Sequence, residues 1–397
     1  MAGPLTGIRV LELGSFIAGP FAGQLLADYG AEVIKIEPPA GGDPMRRWGV
    51  TTGDGQSLWW PAIARNKKSV TVDLRTERGQ AIVRSIAESC DILLENFRPG
   101  TLKAWGLDYD TISAVAPGII HVHVSGYGQT GPKSTEAGFG SVGEAVGGIR
   151  YTTGSPDRPP ARSGISLGDA LAGLFAVVGA LAAVTERQTS GRGQEVDIAI
   201  YEAVLALMES TLADYAVAGV ERRRSGPVLA GVAPSNVYPT ADGQDIVIAA
   251  NADSVFQRLA SAMGAPELAT DDAFATHAAR GSNAVKLDEL ISRWTAQHRT
   301  EQLLGLLSAS GVPAGLINTA ATMLQDEHFA AREMILWHEN EALGRFPMNG
   351  IVPKFSRTAG RVDTLGPALG VHTDEVLRDL GGVDEAELPQ LRADGVL

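Results

Sequence analysis

The chain has 397 residues, 44% of them hydrophobic and 20% charged, with 47 glycines and 21 prolines, an ordinary composition for a globular protein. Acidic side chains number 46 against 33 basic ones, and the formal net charge of −13 repels phosphate backbones and anionic lipid, which argues against nucleic acid and membranes as partners. The single cysteine, Cys90, cannot form an intrachain disulfide and no Cys/His cluster has metal-ligand spacing, so the expectation is a reducing, cytoplasmic setting with no metal.

The first five residues lack a basic stretch followed by an apolar one and lead directly into a strand pattern, so no targeting segment is expected. Residues 7–13 read as a strand, 21–29 as a helix and 31–37 as a second strand, a unit that implies a parallel pair joined by a crossover. Strands over 69–74, 91–95 and 118–125 alternate with helical patterns over 78–89 and 102–115, the latter broken at Gly106. This alternation predicts a doubly wound α/β domain. The apolar run 170–185, bounded by Asp169 and Glu186, falls short of the roughly 20 residues that a membrane span needs, and it reads as a fully buried core helix whose glycines and alanines permit close packing. A loop over 187–194 feeds a strand or helix over 195–208. The charged, breaker-rich stretch 221–227 reads as a linker into a smaller α+β domain. There a strand is expected over 245–250, helices over 254–263, 283–297 and 301–310, and a strand near 312–317. Beyond residue 330 the pattern is irregular, with Pro347, Pro353 and Pro367, before a short helix over 373–380.

Three motifs admit more than one role. Gly126-Tyr127-Gly128-Gln129-Thr130-Gly131 is a literal G-x-G-x-x-G after a predicted strand, but more glycines follow at once and no acid stands where a ribose would need one. A glycine loop over an active site is favoured there over a nicotinamide or flavin turn. The N-terminal unit, with Glu37 ending its second strand, is a rival nucleotide site with unsuitable glycine spacing. Arg46, Arg47, Arg65, Lys67, Lys68, Arg75, Arg98 and Lys103 concentrate positive charge early in an acidic chain, and as a set they suit a polyphosphate, although each alone suits a solvated face. Ser166-Leu167-Gly168-Asp169 fits a capping box on pattern, yet a carboxylate at the positive end of an apolar helix is also a setting for a nucleophile. His121 and His123 alternate along one strand and should face one side of the sheet. The other histidines are scattered, and no Ser-His-Asp arrangement emerges.

Taken in order, Gly7-Ile8-x-Val10-Leu11, Ala18-Gly19-Pro20, Asp28-x-Gly30-Ala31-Glu32-Val33-Ile34-Lys35-Ile36-Glu37, Gly42-Asp43-Pro44, Asn66-Lys67-Lys68-Ser69, Glu95-Asn96-Phe97-Arg98-Pro99-Gly100, Ser125-Gly126-Tyr127-Gly128, Asp169, Gly191-Arg192-Gly193-Gln194 and Gly370-Val371-His372-Thr373-Asp374-Glu375 resemble the class III CoA-transferases. The resemblance covers nearly the whole chain. It implies an α/β fold with a Rossmann-like, CoA-binding large domain over 1–220, to which 331–397 returns, a small α+β domain over 221–330, and an interlocked homodimer. Asp169 matches the catalytic aspartate, whose carboxylate attacks an acyl-CoA thioester and passes CoA to a carboxylic acid through anhydride and aspartyl-CoA intermediates. Coenzyme A is then a co-substrate, and no permanently bound cofactor is implied. By position, Ile17, Ala18, Val72, Arg75, Asn96, Phe97, Arg98 and Phe139 match residues around CoA. Ala104 stands where some relatives carry arginine, which shifts the phosphate grip to Lys103 or Arg98. Ile17 replaces the glutamine of oxalate-using members, and Phe139 replaces the histidine of the superfamily's racemases, which disfavours both activities. The pattern around Trp59-Trp60 and Tyr127 is closest to members that use succinyl-CoA with a dicarboxylic acid.

Overall fold

Short β-branched runs alternating with amphipathic helices build a six-stranded parallel sheet in the computed structural model, which describes residues 3–53, 55–340 and 342–397. Met1 and Ala2, which entered the reading for a targeting segment, lie outside the described residues. In chain order the first elements are β1 (Arg9–Glu12), α1 (Ala18–Asp28), β2 (Glu32–Glu37), α2 (Trp60–Ile63), β3 (Lys67–Thr71), α3 (Glu77–Glu88), β4 (Ile92–Glu95), α4 (Thr101–Ala104), α5 (Tyr109–Ser113), β5 (Ile120–Ser125), α6 (Gly140–Val146), α7 (Ile149–Thr152), α8 (Leu167–Ser190) and β6 (Glu195–Ala199). A helix, α9 (Ile200–Leu205), follows β6 at once, so the segment expected as strand or helix is both. The strand order is β3-β2-β1-β4-β5-β6, which reverses direction between β1 and β4. Ligands of open α/β sheets bind beyond the carboxyl ends of the strands at such a reversal.

Successive strand residues point to opposite faces, and both faces are covered. Val10, Val33, Ile92, Leu94, Ile120, Val122 and Val124 pack against α1 and α8. Leu11, Ile34, Ile36, Val70 and Leu93 pack on the other side against Ile82, Val83 and Ile86 of α3 and against Val376 and Leu377 of the helix Thr373–Asp379. Helix α8 corrects the sequence reading. Only the stripe Gly168, Asp169, Leu171, Ala172, Gly173, Ala176, Ala180 and Ala183 is buried, while Leu174, Phe175 and Val178 on its other side are exposed. Its 24 residues are by length and composition enough to cross a membrane, but the buried stripe packs on the sheet and on α1. The expected close packing is present, since a Cβ at Gly173 would fall 2.9 Å from the Ala18 carbonyl oxygen.

Beneath the sheet's carboxyl end lies a buried ionic frame. Glu12 accepts from Lys35 Nζ at 2.9 Å and from Lys67 Nζ at 2.7 Å, and Lys35 also lies 2.8 Å from Asp43. The two ammonium groups additionally donate to the carbonyls of Gly14 and Pro20. Burial alone would raise the Glu12 carboxyl, but Lys35 and Lys67 hold it below its ordinary 4.5.

The chain divides into two compact units. The first comprises residues up to Ile149, Ser163–Ala213 and Ala330–Leu397; the second comprises Arg150–Arg162 and Asp214–Phe329. The boundary thus falls at Asp214 rather than 221, and a strip from 150 to 162 joins the second unit. That unit carries an antiparallel sheet of β7 (Ser235–Pro239), β8 (Asp245–Ala249) and β9 (Ala314–Leu316), cored by Tyr238, Ile246, Ile248, Phe256, Leu287, Ile291, Leu303 and Leu307. The segment beyond 330, read as irregular, contains a hairpin of β10 (Ile335–Asn340) and β11 (Gly344–Asn349).

Candidate active site

The residues leaving β1 are pinned from β4. Ser15 N–H donates to Asn96 Oδ1 and Asn96 Nδ2 donates to the Ser15 carbonyl, both at 2.8 Å. Gly14 allows this approach, because a Cβ there would fall 2.8 Å from Asn96 Oδ1. Phe16 then adopts a left-handed φ of 63°, unusual for an aromatic residue, and its N–H donates to Asp43 Oδ1 at 3.2 Å. Ile17 takes the N-cap position of α1 and Ala18 opens it; both are buried.

Asp169 is the third residue of α8, at the end whose free N–H groups favour an anion. Ser166 at the N-cap makes no side-chain cap bond, so it does not supply its half of the expected capping box. The Asp169 carboxylate is 9% exposed and rests against Gly140, the first residue of α6. A Cβ at position 140 would lie 2.2 Å from Oδ2, 2.6 Å from Cγ and 2.8 Å from Oδ1. Next to it, the Gly168 N–H donates to Glu144 Oε1 at 3.3 Å. Phe139, immediately before Gly140, is 52% exposed and sets its ring edge-on to Phe16, with centroids 6.0 Å apart. Phe16 meets Trp48 in the same manner at 5.7 Å. An aromatic wall therefore stands beside the residue that covers the carboxylate.

The G-x-G-x-x-G segment is not a dinucleotide turn, because no helix opens behind it; α6 begins only at Gly140. Its backbone is held by Ser125 Oγ, which accepts from Gly128 N–H at 2.9 Å, and by Asp197, which accepts from Gln129 N–H at 2.8 Å. Gly126 and Gly138 touch backbone to backbone, a Cβ on the first falling 2.5 Å from the second's Cα.

Most of the early basic residues are not available to a polyphosphate. Arg46 is bound to Glu37, Arg65 to Asp28, Lys67 to Glu12, Lys68 to Glu32 and Glu375, and Arg75 to Asp73. Arg47, Arg98 and Lys103 are exposed and carry no ion pair among the described residues. Thus Asn96, Ile17 and Ala18 meet at one loop, and Phe139 and Asp169 meet at Gly140. Val72 is buried in the core, and Arg75 stands beyond the end of β3, the edge strand. Phe97 sets its ring against Trp105. Arg98 and Lys103 line a separate cavity of about 200 Å3 with Glu95, His123, Gln129 and Glu195.

Sequence reasoning did not single out Phe16, Trp48, Gly140 or the pairing of Glu95 with the two histidines. His123 Nδ1 lies 2.7 Å from Glu95 Oε1 and Nε2 lies 3.2 Å from Glu195 Oε1. Burial would lower His123, but these carboxylates carry it above its ordinary 6.5. Burial and the charge of His123 push His121 well below that value.

The family profile described as CoA-transferase family III matches residues 5–373. The chain is 57% identical over 394 residues to the succinyl-CoA–D-citramalate CoA-transferase of Chloroflexus aurantiacus, covering 99% of this chain and 98% of the relative. It is 35% identical to the succinate–glutarate CoA-transferase of Agrobacterium fabrum, over 97% and 98% of the two chains. Among solved structures, a CaiB/BaiF family protein from Brucella suis superposes with a TM-score of 0.84 at 34% identity, covering 96% of this chain and all of that one. These likenesses establish that the chain belongs to the class III CoA-transferases, enzymes that act on CoA thioesters.

Proposed function

We propose that the enzyme transfers CoA from succinyl-CoA to a four- or five-carbon dicarboxylic acid of the citramalate type, with Asp169 as the covalent carrier. The 57% identity to a citramalate-using transferase over essentially both chains supports the substrate class. The observation that carries the mechanism is the Asp169 carboxylate, set at a helix N-terminus against a glycine that leaves it just enough room. One carboxylate oxygen attacks the succinyl thioester carbonyl, forming an aspartyl-succinyl anhydride and releasing CoA thiolate. The thiolate attacks the Asp169 acyl carbon, giving an aspartyl thioester and free succinate. The acceptor carboxylate attacks that thioester, again releasing thiolate, and thiolate attack on the acceptor's acyl carbon yields the new acyl-CoA and restores Asp169. Each step exchanges acyl derivatives without ATP, and a carboxylate nucleophile suits this because its anhydride remains reactive toward thiolate.

Phe139 offers no titratable group at the position where a racemase would need one, and its ring is engaged with Phe16. The exposed apolar residues Leu174, Phe175 and Val178 of α8, beside a cavity of about 350 Å3 lined by Phe175, Val178, Val196, Ile198 and Ala206, support a second copy of the chain as the covering partner. The composition supports a cytoplasmic setting.

Three measurements test this reading. Asp169→Asn should lower turnover by several orders of magnitude while the fold persists, and hydroxylamine added with succinyl-CoA should trap a modification on Asp169 in the wild-type enzyme, seen by peptide mass spectrometry. An adduct on another carboxylate would overturn the mechanism. With succinyl-CoA as donor, citramalate, malate or glutarate should outcompete oxalate, and preferred transfer to oxalate would overturn the substrate class.

A further inference from the structure

Parallel pairing of β4, β5 and β6 brings together side chains that the sequence keeps 26 or more residues apart. Glu95 lies directly across from His123 and Leu93 from His121, while Glu195 and Asp197 stand opposite the two histidines on the other flank. Both imidazoles project to the sheet face away from α8, where their rings stack at 4.0 Å with planes 29° apart. One ligand atom from each of Glu95, His121 and His123 can be chosen so that all lie within 4.8 Å of one another, and all three residues are buried.

His121 is fully buried, and neither of its ring nitrogens has a hydrogen-bond partner. A buried polar group left unpaired is destabilising, so a position that needed only a flat ring would be better served by phenylalanine. His123 Nδ1 and Glu95 Oε1 already face each other at 2.7 Å. The adjoining cavity of about 200 Å3 is lined by His123, Glu95, Glu195 and Gln129, whose Nε2 is likewise without a partner. It offers room for water or for the Glu195 carboxylate as a further ligand.

We propose that Glu95, His121 and His123 form a binding site for one divalent transition ion of the zinc type, distinct from the Asp169 centre and on the opposite face of the sheet. Two imidazoles and one carboxylate suit Zn2+, Co2+, Ni2+ or Fe2+ and not the hard ions Mg2+ or Ca2+. Ligand atoms around tetrahedral zinc lie roughly 3.3–3.5 Å apart, so closing the set requires the two imidazoles to turn out of their stack until both ring planes meet at the ion. Ion binding displaces the proton shared by His123 and Glu95, and that proton leaves to solvent through the cavity. The ion holds the end of β4, from which Asn96 reaches the Ser15 loop, and takes no part in acyl transfer. The site is absent from the sequence's local spacing because the sheet, not a short motif, assembles it.

The test uses untagged, full-length enzyme stripped with a chelator and titrated with Co2+ and then Zn2+. One equivalent of Co2+ should produce visible d–d bands that Zn2+ abolishes, and elemental analysis after gel filtration should find about one zinc per chain. His121→Phe preserves the ring stack and should cut the retained zinc at least tenfold, with no Zn2+-dependent rise in melting temperature. If that variant does not fold, the wild-type Co2+ spectrum decides alone. Absence of stoichiometric uptake by the wild type, or equal uptake by His121→Phe, would overturn the site. Loss of the site leaves the transfer mechanism untouched, because the Asp169 variants report on that separately.

Discussion

Gly140 lies in an ordinary helical conformation, so alanine is tolerated there by the backbone, and the nearest conflict is with the Asp169 carboxylate at 2.2 Å. Gly140→Ala should therefore spare the fold and displace the carboxylate proposed as nucleophile. A misplacement of about 1 Å costs on the order of 100-fold in rate, and the loss should appear in kcat with melting temperature little changed. Unaltered kcat would mean that the carboxylate reacts from another position than the one it holds here. The place of Asp169 at a helix start was legible in the sequence, but Gly140 was not, since that glycine's reason for being present is a neighbour's carboxylate 29 residues away. The charges at Arg46, Arg65 and Lys67 misled in the opposite sense. A sequence shows that a cation exists, and only the sheet shows that Glu37, Asp28 and Glu12 have already claimed these three.

At the scale of elements, the order of strands and helices over the first 125 residues was readable with ends off by about three residues at most, apart from α2, which was not expected, and the pattern 102–115, which is two short helices; parallel strands buried on both faces are recognisable as apolar runs. The β10–β11 hairpin was not, since its strands are half exposed and Pro347 sits inside one of them, a placement tolerated in a two-stranded ribbon that leaves the N–H side free. Helix α8 was read as buried all round because composition cannot say which side of an apolar helix meets the core. The ionic frame beneath the sheet joins residues 12, 35, 43 and 67, and Gly23 is part of it: a Cβ there would fall 1.9 Å from Glu12 Oε2. Glu12→Gln leaves two buried ammonium groups without their shared counter-charge and should destabilise the fold by about 3–5 kcal/mol in urea melts at neutral pH. The pH dependence has a definite sign. The folded-state pKa of Glu12 lies below its ordinary 4.5, so its stabilisation is complete above that pH and is lost as the pH falls through the folded value. The wild type should accordingly lose its advantage over Glu12→Gln as the pH falls below the ordinary 4.5, and a constant difference across that range would show that Glu12 does not carry the frame's charge.

For the whole molecule, the proposed linked dimer makes a prediction that an ordinary dimer does not. Two chains threaded through each other separate only by unfolding, so dilution to nanomolar concentration should leave the species dimeric in sedimentation, and denaturant should abolish dimer and secondary structure together. A folded monomer on dilution would exclude the linkage. Such an assembly also explains why the α8 face carrying Leu174, Phe175 and Val178 is apolar without being part of the single chain's core, and it would cover the cavity beside that face.

Thioesters such as succinyl-CoA acylate free amines without any catalyst, and an enzyme that handles them is steadily exposed to damage of its own lysines. Lys35 and Lys67 are sealed from solvent, and their ammonium protons are committed to Glu12, Asp43 and two backbone carbonyls. Lys103, Lys133 and Lys286 stand in water instead. The frame that makes the sheet rigid is thus also its chemical armour: the two amines whose charge the frame needs are ones that stray acyl groups do not reach, and wear falls on the exposed lysines.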